Sequence, residues 1–251
     1  MVSGHSKWSS IKHKKGAADA RRGKLFSKLS RAIIVAAREG GGDPAANLAL
    51  QNAIEKARSY SVPKDNIERA IARGTGADTA AESFEHVVYE GYGPNGVAIL
   101  VEALTDNRNR TAADVRAAFA KHDGNLGGSG AVAWLFERQG VILVDADRFE
   151  EDDVTLAAAE GGAEDVELDG SSFSVTCTPE TLSAVRQALE DAGVEVDSAE
   201  LTMVPKTTVE LDEENAAKKT LRLIDALEES DDVQEVFANF YIPETVMEAV
   251  A

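Results

Sequence analysis

Residues 86–104 read HVVYEGYGPNGVAILVEAL, two runs of alternating apolar residues separated by Gly93-Pro94-Asn95-Gly96. An Asn-Gly pair between two such runs is a strong β-hairpin signal. The next twenty residues have helical periodicity, with Val115, Ala118 and Phe119 on the inward side. The following GAVAWLFERQGVILV is expected to supply two more strands. The middle of the chain is therefore predicted to be an α+β domain.

Residues 140–205 predict a second α+β unit. Its pattern is strand, helix, strand, strand, helix, strand, which is the ferredoxin-like order. Thr178 is expected to cap the second helix and Pro179 to open it. Residues 206–251 predict only two strands and one helix, too little for an independent core. We therefore expect 206–251 to pack with 78–139, so that 140–205 is an insertion.

Ahead of the hairpin, residues 1–77 predict a basic arm followed by a bundle of three short helices. The first helix is expected from residue 17 to about residue 38 and stops at a triple glycine. The second is expected to be capped by Asp43, to begin at Pro44 and to end before Pro63. A shorter third helix follows. The predicted fold class is α+β, a three-helix N-terminal domain followed by two α+β domains, the last ferredoxin-like and inserted in the middle one.

Charge is segregated along the chain. Residues 1–75 hold 15 basic and 6 acidic side chains, a net +9, whereas residues 76–251 hold 11 and 38, a net −27. A mixed solvated surface predicts interspersed signs instead. The segregation indicates that the front of the chain binds a polyanion. This interpretation requires the basic end to be available, not held by the acidic residues of its own chain.

The candidate nucleic-acid contacts form two groups. The arm and the first helix supply His5, Lys7, Trp8, Lys12, His13, Lys14, Lys15, Arg21, Arg22, Lys24, Lys28 and Arg31. Trp8 could stack on an unpaired base or pin the arm onto the bundle. The helix after the hairpin supplies Asn107, Arg108 and Arg110, at a helix start that favours anions. Among so many carboxylates, these arginines could instead be intramolecular partners.

Other site chemistry is disfavoured. One cysteine and four histidines assemble no convincing catalytic set, and no ligands accompany His5 and His13, so no catalytic residue, metal or cofactor is expected. The segment GNLGGSGAVA (residues 124–133, the Gly-rich loop) resembles a loose dinucleotide fingerprint, but it leaves a helix and enters a strand. A hydrolase using this loop remains a remote alternative.

Partners and location are predicted from the same composition. No apolar run is long enough to span a bilayer, so no membrane partner is expected. A secretory signal is absent from the first twenty residues, and an organellar transit peptide is disfavoured by their composition. We expect a cytoplasmic monomer with no small-molecule substrate.

Four long motifs carry a family resemblance. They are GHSKWSSIKHKKGAADARRGKLFSKL, GGDPAANLALQNAIEKARSYSVPKDNIERAI, YEGYGPNGVAILVEALTDNRNRT and GNLGGSGAVAWLFERQG. In this order they resemble the YebC family, whose mitochondrial relative is a translational activator of cytochrome c oxidase. The resemblance implies a three-domain, non-enzymatic regulator in the cytoplasm. Members of the family are described either as DNA-binding transcriptional regulators or as ribosome-associated factors that relieve stalling at proline runs.

Charge and helix pattern favour RNA over DNA. A duplex-DNA regulator usually offers a recognition helix and often a dimer motif, and neither is evident here. A basic arm that projects from an acidic body suits irregular RNA, in which extended segments fold on binding. Ribosomal or transfer RNA is therefore the favoured partner, with the ribosome as the site of action and DNA as the alternative.

Overall fold

The computed structural model describes residues 19–76 and 84–250. The front of the described chain is a bundle of three helices, α1 (Asp19–Gly40), α2 (Leu48–Ser59) and α3 (Lys64–Thr75). Their apolar faces meet in one core whose largest members are Leu29, Ile33, Ile34, Leu50, Ile54 and Ile67. Gly74 lies where α3 crosses α1, and a Cβ there would fall 2.5 Å from the carbonyl oxygen of Ile34. This glycine therefore allows the two helices to approach closely.

The start of α2 differs from the prediction. The helix begins four residues after Pro44, and its N-cap is Asn47. The Asn47 side-chain oxygen accepts from the Leu50 amide at 3.0 Å, and its Nδ2 donates to the Gly41 carbonyl at 2.8 Å. The carboxylate of Asp43 accepts within the preceding turn instead. An amide side chain can both accept and donate, so Asn47 caps α2 and holds the end of α1, which a carboxylate cannot do.

The middle domain is built on a four-stranded antiparallel sheet. Its strands β1 (Glu85–Tyr92), β2 (Ala98–Thr105), β3 (Asn125–Leu126) and β9 (Val233–Ala238) lie in the order β3-β1-β2-β9. The predicted hairpin is confirmed, since β1 pairs with β2 from Glu85 opposite Thr105 to Tyr92 opposite Ala98. In its turn, Asn95 and Gly96 have φ of 59° and 76°.

Helices cover one face of this sheet. The helices α4 (Arg108–Lys121), α7 (Glu214–Glu228) and α8 (Glu244–Val250) share one core with β2 and β9. Its fully buried large side chains include Ile99, Phe119, Leu223, Ile224 and Phe240. Near the end of the chain, β8 (Val209–Glu210) pairs in parallel with β10 (Phe240–Tyr241). The prediction had no counterpart of α8.

The inserted domain is ferredoxin-like, as predicted. Its elements are β4 (Phe136–Asp145), α5 (Glu151–Gly161), β5 (Asp165–Asp169), β6 (Ser172–Cys177), α6 (Leu182–Asp191) and β7 (Ser198–Pro205). Its strands lie in the antiparallel order β5-β6-β4-β7. This order places the first and third strands of the unit at the centre of the sheet. Cys177 is buried in the core of this unit.

Two local predictions in this region were wrong. The stretch GAVAWLFERQGVILV forms one strand, β4, which a single 3-10 turn at Ala133–Leu135 precedes. The helix α6 begins at Leu182 rather than at Pro179. The Thr178 hydroxyl lies 3.1 Å from the Thr181 hydroxyl and caps no helical amide.

The exact domain boundaries stay a prediction. Sheet pairing links β9 to β2 across the insertion, whereas β4 already begins at Phe136, ahead of the boundary proposed at residue 140. Among the helices of the described residues, none combines the length and apolar character needed to cross a membrane.

Candidate nucleic-acid interface

The basic side of α1 lies against an acidic segment of the same chain, Glu228-Glu229-Ser230-Asp231-Asp232, which we call the acidic segment. Lys28 donates from Nζ to the carbonyl oxygen of Glu228 at 2.6 Å. Lys24 donates to the carbonyl oxygen of Glu229 at 3.2 Å, and its Nζ lies 3.9 Å from the Asp231 carboxylate. The acidic segment joins the end of α7 to β9 of the middle domain. The contacts of Lys24 and Lys28 with this segment therefore dock α1 on the middle domain.

Arg31 is the most deeply held of these cations. Its guanidinium donates to the Asp232 carboxylate at 3.0 Å, to the Asp231 carbonyl at 2.8 Å and to the Leu104 carbonyl at 3.1 Å. The Phe84 ring centroid lies 4.7 Å from the guanidinium carbon, within the range of a cation–π contact. Only 19% of the Arg31 side chain is exposed. Arg31 therefore joins the helical bundle to the middle domain.

Asp232 receives donors from both domains. Besides Arg31, its carboxylate accepts from Arg110 at 2.7 Å, from the Thr111 hydroxyl at 2.7 Å and from the Thr105 hydroxyl at 3.3 Å. Burial alone would raise the pKa of Asp232. The hydrogen bonds from Arg110 and Thr111 and the charges of the two arginines outweigh it and hold the pKa below its ordinary value. Asp232 is thus ionised at neutral pH.

These residues border a cleft of about 580 Å³. Its lining is formed by Arg31, Phe84, Asp106, Arg110, Asp114, Glu229, Ser230, Asp231 and Asp232. Both arginines of this lining donate to Asp232, and four more carboxylates surround them. The lining therefore has a net negative charge, which would repel a phosphate group that entered the cleft. The cleft is therefore poorly suited to nucleic acid.

The second predicted group, at the start of α4, has largely local roles. Asn107 caps the helix by accepting from the Arg110 amide at 3.1 Å. The Arg110 side chain donates to Asp106 and Asp232, which is the intramolecular alternative that the sequence left open. Arg108 is different: its side chain is 67% exposed and lies 3.6 Å from Glu85. Surface pairs of this kind are weak, so Arg108 could exchange Glu85 for a phosphate.

The rest of the predicted contacts are described only in part. The residues His5, Lys7, Trp8, Lys12, His13, Lys14 and Lys15 lie outside the described residues. Arg21 and Arg22 lie on α1, but their side chains lie outside the described set. A nucleic acid would have to displace the acidic segment to reach Lys28 or Arg31. The role of every residue in the predicted site stays a prediction.

Sequence reasoning missed exposed cations elsewhere on the helical bundle. Arg58 on α2 and Arg69 and Arg73 on α3 are exposed. Arg69 and Arg73 are four residues apart, so they share one face of α3. The sequence could have predicted their exposure, because neither arginine occupies an apolar position of the helix such as Ile67 or Ala70. They add positive surface to the bundle.

A second ionic contact anchors the bundle. Lys56 on α2 pairs with Glu235 on β9. Burial lowers the pKa of Lys56, while the nearby charges of Glu200 and Glu102 oppose that effect. Burial and the charges of Glu200 and Glu228 raise the pKa of Tyr60 to about 12. Since Glu200 belongs to β7, the bundle lies close to both α+β domains.

The Gly-rich loop holds an anion of its own chain. The Glu90 carboxylate accepts from the amides of Gly130, Val132 and Ala133 at 2.7, 2.8 and 2.7 Å. Burial alone would raise the pKa of Glu90, but these three donors outweigh it and hold the pKa below its ordinary value. Three amide donors of the loop are therefore already occupied by a carboxylate of the same chain. Over residues 19–76 and 84–250, no group of three or more His, Cys, Asp or Glu side chains is placed to hold a metal ion.

Comparisons with known proteins agree with this architecture. The model of the TACO1/YebC N-terminal domain matches residues 6–77, and that of the TACO1/YebC second and third domains matches residues 84–240. Relatives named "probable transcriptional regulatory protein" include one from Rubrobacter xylanophilus, 62% identical over 250 residues, and one from Persephonella marina, 53% identical over 251 residues. Both alignments cover 100% of each chain.

A solved structure shares the fold. The crystal structure of a conserved hypothetical protein, Aq1575, from Aquifex aeolicus matches with a TM-score of 0.79 and 51% identity. The match covers 90% of this chain and 93% of that one. With both family models in sequence order and relatives above 50% identity along the whole length, the chain belongs to the TACO1/YebC family.

Proposed function

We propose that this protein is a non-enzymatic, nucleic-acid-binding regulator of gene expression that acts on translation. Its partner is ribosomal or transfer RNA on the ribosome, and its effect is to help translation of stall-prone, proline-rich sequences. It works in the cytoplasm as a monomer and needs no cofactor. The observation that carries the proposal is the segregation of charge, net +9 in residues 1–75 against net −27 in the rest.

The ionic contacts support a division of labour within the basic region. Lys24, Lys28 and Arg31 contact the acidic segment, which docks the bundle on the acidic body. Six further basic residues lie among the first 22, namely Lys7, Lys12, Lys14, Lys15, Arg21 and Arg22. They are candidates for phosphate contacts by their charge alone, together with the exposed arginines of α2 and α3.

Electrostatics also supports RNA within a crevice. The acidic body resists close approach to a flat phosphate surface, so the charge-driven phosphate contacts would be made by the basic extension. Irregular RNA offers such crevices, whereas duplex DNA presents a regular cylinder of phosphates. The resemblance to a mitochondrial translational activator points to the same process.

The second candidate is a DNA-binding transcriptional regulator. Its support is the name of the curated relatives, "probable transcriptional regulatory protein". Against it, the sequence shows no evident recognition helix or dimer motif, which such regulators usually offer. Competition between a ribosomal RNA fragment and duplex DNA of equal charge ranks the two candidates.

The proposal is tested by removing charge from the arm. The triple variant Lys12→Ala, Lys14→Ala, Lys15→Ala should weaken RNA affinity while leaving the melting temperature unchanged. With about five phosphates contacted, log affinity of the unaltered chain should fall against log salt with a slope of roughly −3.5 to −4.5. In the triple variant the slope should be shallower, its magnitude reduced by about two to three.

The matched control removes three exposed lysines from the acidic body, Lys121, Lys206 and Lys219. This variant has the same net charge as the arm variant, so a general charge effect would weaken both equally. Equal affinities of the two variants, or an affinity that does not depend on salt, would contradict the proposal.

A further inference from the structure

Two exposed aromatic side chains, Tyr92 and Trp134, form a fixed pair on the middle domain, and we call them the aromatic platform. The Tyr92 hydroxyl donates to the Ala131 carbonyl at 3.1 Å, and the Trp134 indole N–H donates to the same carbonyl at 3.2 Å. Their exposed fractions are 39% and 66%. Both polar groups donate to one carbonyl oxygen, and the larger exposed surface of the pair belongs to the Trp134 indole.

The loop that carries the platform is held rigidly. Glu90 accepts from the amides on either side of Ala131, namely Gly130 and Val132. The Gly127 amide donates to the Glu90 carbonyl at 2.8 Å, which ties the loop to β1 at a second point. Rings that are already ordered lose little entropy on binding. The platform is therefore arranged before any ligand arrives.

The surroundings of the platform suit a polyanion. Residues 124–136 contain no Asp or Glu, although 38 of the 176 residues from 76 to 251 are acidic. The neighbouring Glu90 carboxylate accepts from three backbone amides of the loop. The amides of Gly128 and Ser129 make no hydrogen bond to any other residue in the described ranges, and a Cβ at Gly128 or Gly130 would meet nothing within 4 Å. The Gly128 and Ser129 amides therefore lie on a stretch of loop without acidic side chains, where a phosphodiester group could accept from them.

Size decides between kinds of partner. A stable protein partner covers about 800 Å² on each side, far more than two rings provide. A nucleobase needs only one ring face, and base–aromatic stacking is tolerant of sequence. We propose that the aromatic platform is a stacking site for an unpaired RNA base whose phosphate contacts the exposed amides of the Gly-rich loop. This inference rests on the proposed RNA-binding function and adds a contact on the acidic body.

Fluorescence of Trp134 tests the proposal directly. The chain has two tryptophans, so Trp8→Phe leaves Trp134 as the single indole. Single-stranded oligo(A) RNA of about twelve nucleotides, within the usual range of binding-site sizes, should quench this emission as it binds. An abasic ribose-phosphate of equal length should bind through charge without quenching.

Affinity supplies the second readout, in the chain that keeps Trp8. Trp134→Ala should weaken oligo(A) binding about fivefold to one-hundredfold, the size of one lost base stack, and leave the abasic polymer unaffected. Trp134→Phe should recover part of the loss. Leu156→Ala is the matched control, because Leu156 has 67% exposure on α5 and no aromatic ring.

The outcomes separate the two claims. Binding of oligo(A) without quenching, together with full affinity of Trp134→Ala, would overturn the stacking site and mark the indole as a protein contact while leaving the proposed function standing. Failure of the unaltered chain to bind either polymer would overturn the proposed function and, with it, this inference.

Discussion

Replacing Asp232 with Asn removes the charge that joins the helical bundle to the middle domain. The Asp232 side chain is 9% exposed and accepts from two arginines and two threonine hydroxyls. Asn has nearly the same shape, so packing is preserved. Its amide group, however, presents hydrogen atoms toward donors that also carry hydrogen atoms, and the two guanidinium groups lose their common counter-ion.

The magnitude follows from these contacts. Hydrogen bonds to charged groups contribute about 1.5–3 kcal/mol each, and they are not additive within one cluster. Removing one partner of a buried ion pair costs about 3–5 kcal/mol, and this is reduced here because Arg110 is half exposed. We expect Asp232→Asn to lower the free energy of opening the contact between the bundle and the middle domain by about 2–4 kcal/mol. At 1.4 kcal/mol per tenfold, local opening should become about 30 to 700 times more frequent.

Hydrogen exchange by mass spectrometry measures this opening. Amides of α1 and of residues 228–238 should exchange faster in the variant, while amides of the inserted ferredoxin-like domain should not change. Asp114→Asn is the control, because Asp114 is an exposed carboxylate lining the same cleft. Exchange in α1 that is the same in both variants would refute the role assigned to Asp232.

The same carboxylate makes a pH prediction. The pKa of Asp232 is lower in the folded chain than in the unfolded chain. A depressed folded pKa contributes stability that is complete above the unfolded value, about 3.9, and is lost as pH falls through the folded value. Between neutral pH and about pH 3, the unaltered chain should therefore lose more stability than Asp232→Asn. Parallel pH profiles of the two would contradict this.

Two further substitutions test close packing and the Gly-rich loop. Gly74→Ala should destabilise the helical bundle by about 1–3 kcal/mol, because the new Cβ would lie 2.5 Å from the Ile34 carbonyl oxygen. Thermal unfolding measures this loss. Gly23→Ala is the control and should not destabilise the bundle, because a Cβ at Gly23 meets open space. Glu90→Gln should loosen the Gly-rich loop by about 1–3 kcal/mol and speed its proteolysis, whereas Glu85→Gln, exposed on the same strand, should not; equal cleavage rates would argue against the Glu90 contacts.

Local patterns predicted most of the fold. The hairpin at Asn95-Gly96 and the ferredoxin-like order follow from alternation and turn chemistry, which depend on neighbouring residues only. The start of α2 was missed because the choice between Asp43 and Asn47 depends on donors to the end of α1. The extra strand predicted from GAVAWLFERQG was wrong because Glu90, some forty residues earlier, holds those amides in a tight turn.

The ionic cluster could not be predicted from the sequence. Arg31, Arg110 and Asp232 come from three distant parts of the chain, and the pairing of β2 with β9 is what places Leu104 beside Asp232. Composition correctly shows that positive and negative charge are segregated, but it does not show which cations are used inside the molecule. The charge count therefore predicts a basic domain, while the division between docking residues and candidate RNA contacts needs the structure.

The most direct test is crosslinking in living cells followed by sequencing of the nucleic acid bound to the protein. We expect ribosomal or transfer RNA, with crosslinks that map to the first 22 residues and disappear in the triple lysine variant. Recovery of promoter DNA in place of RNA would contradict it.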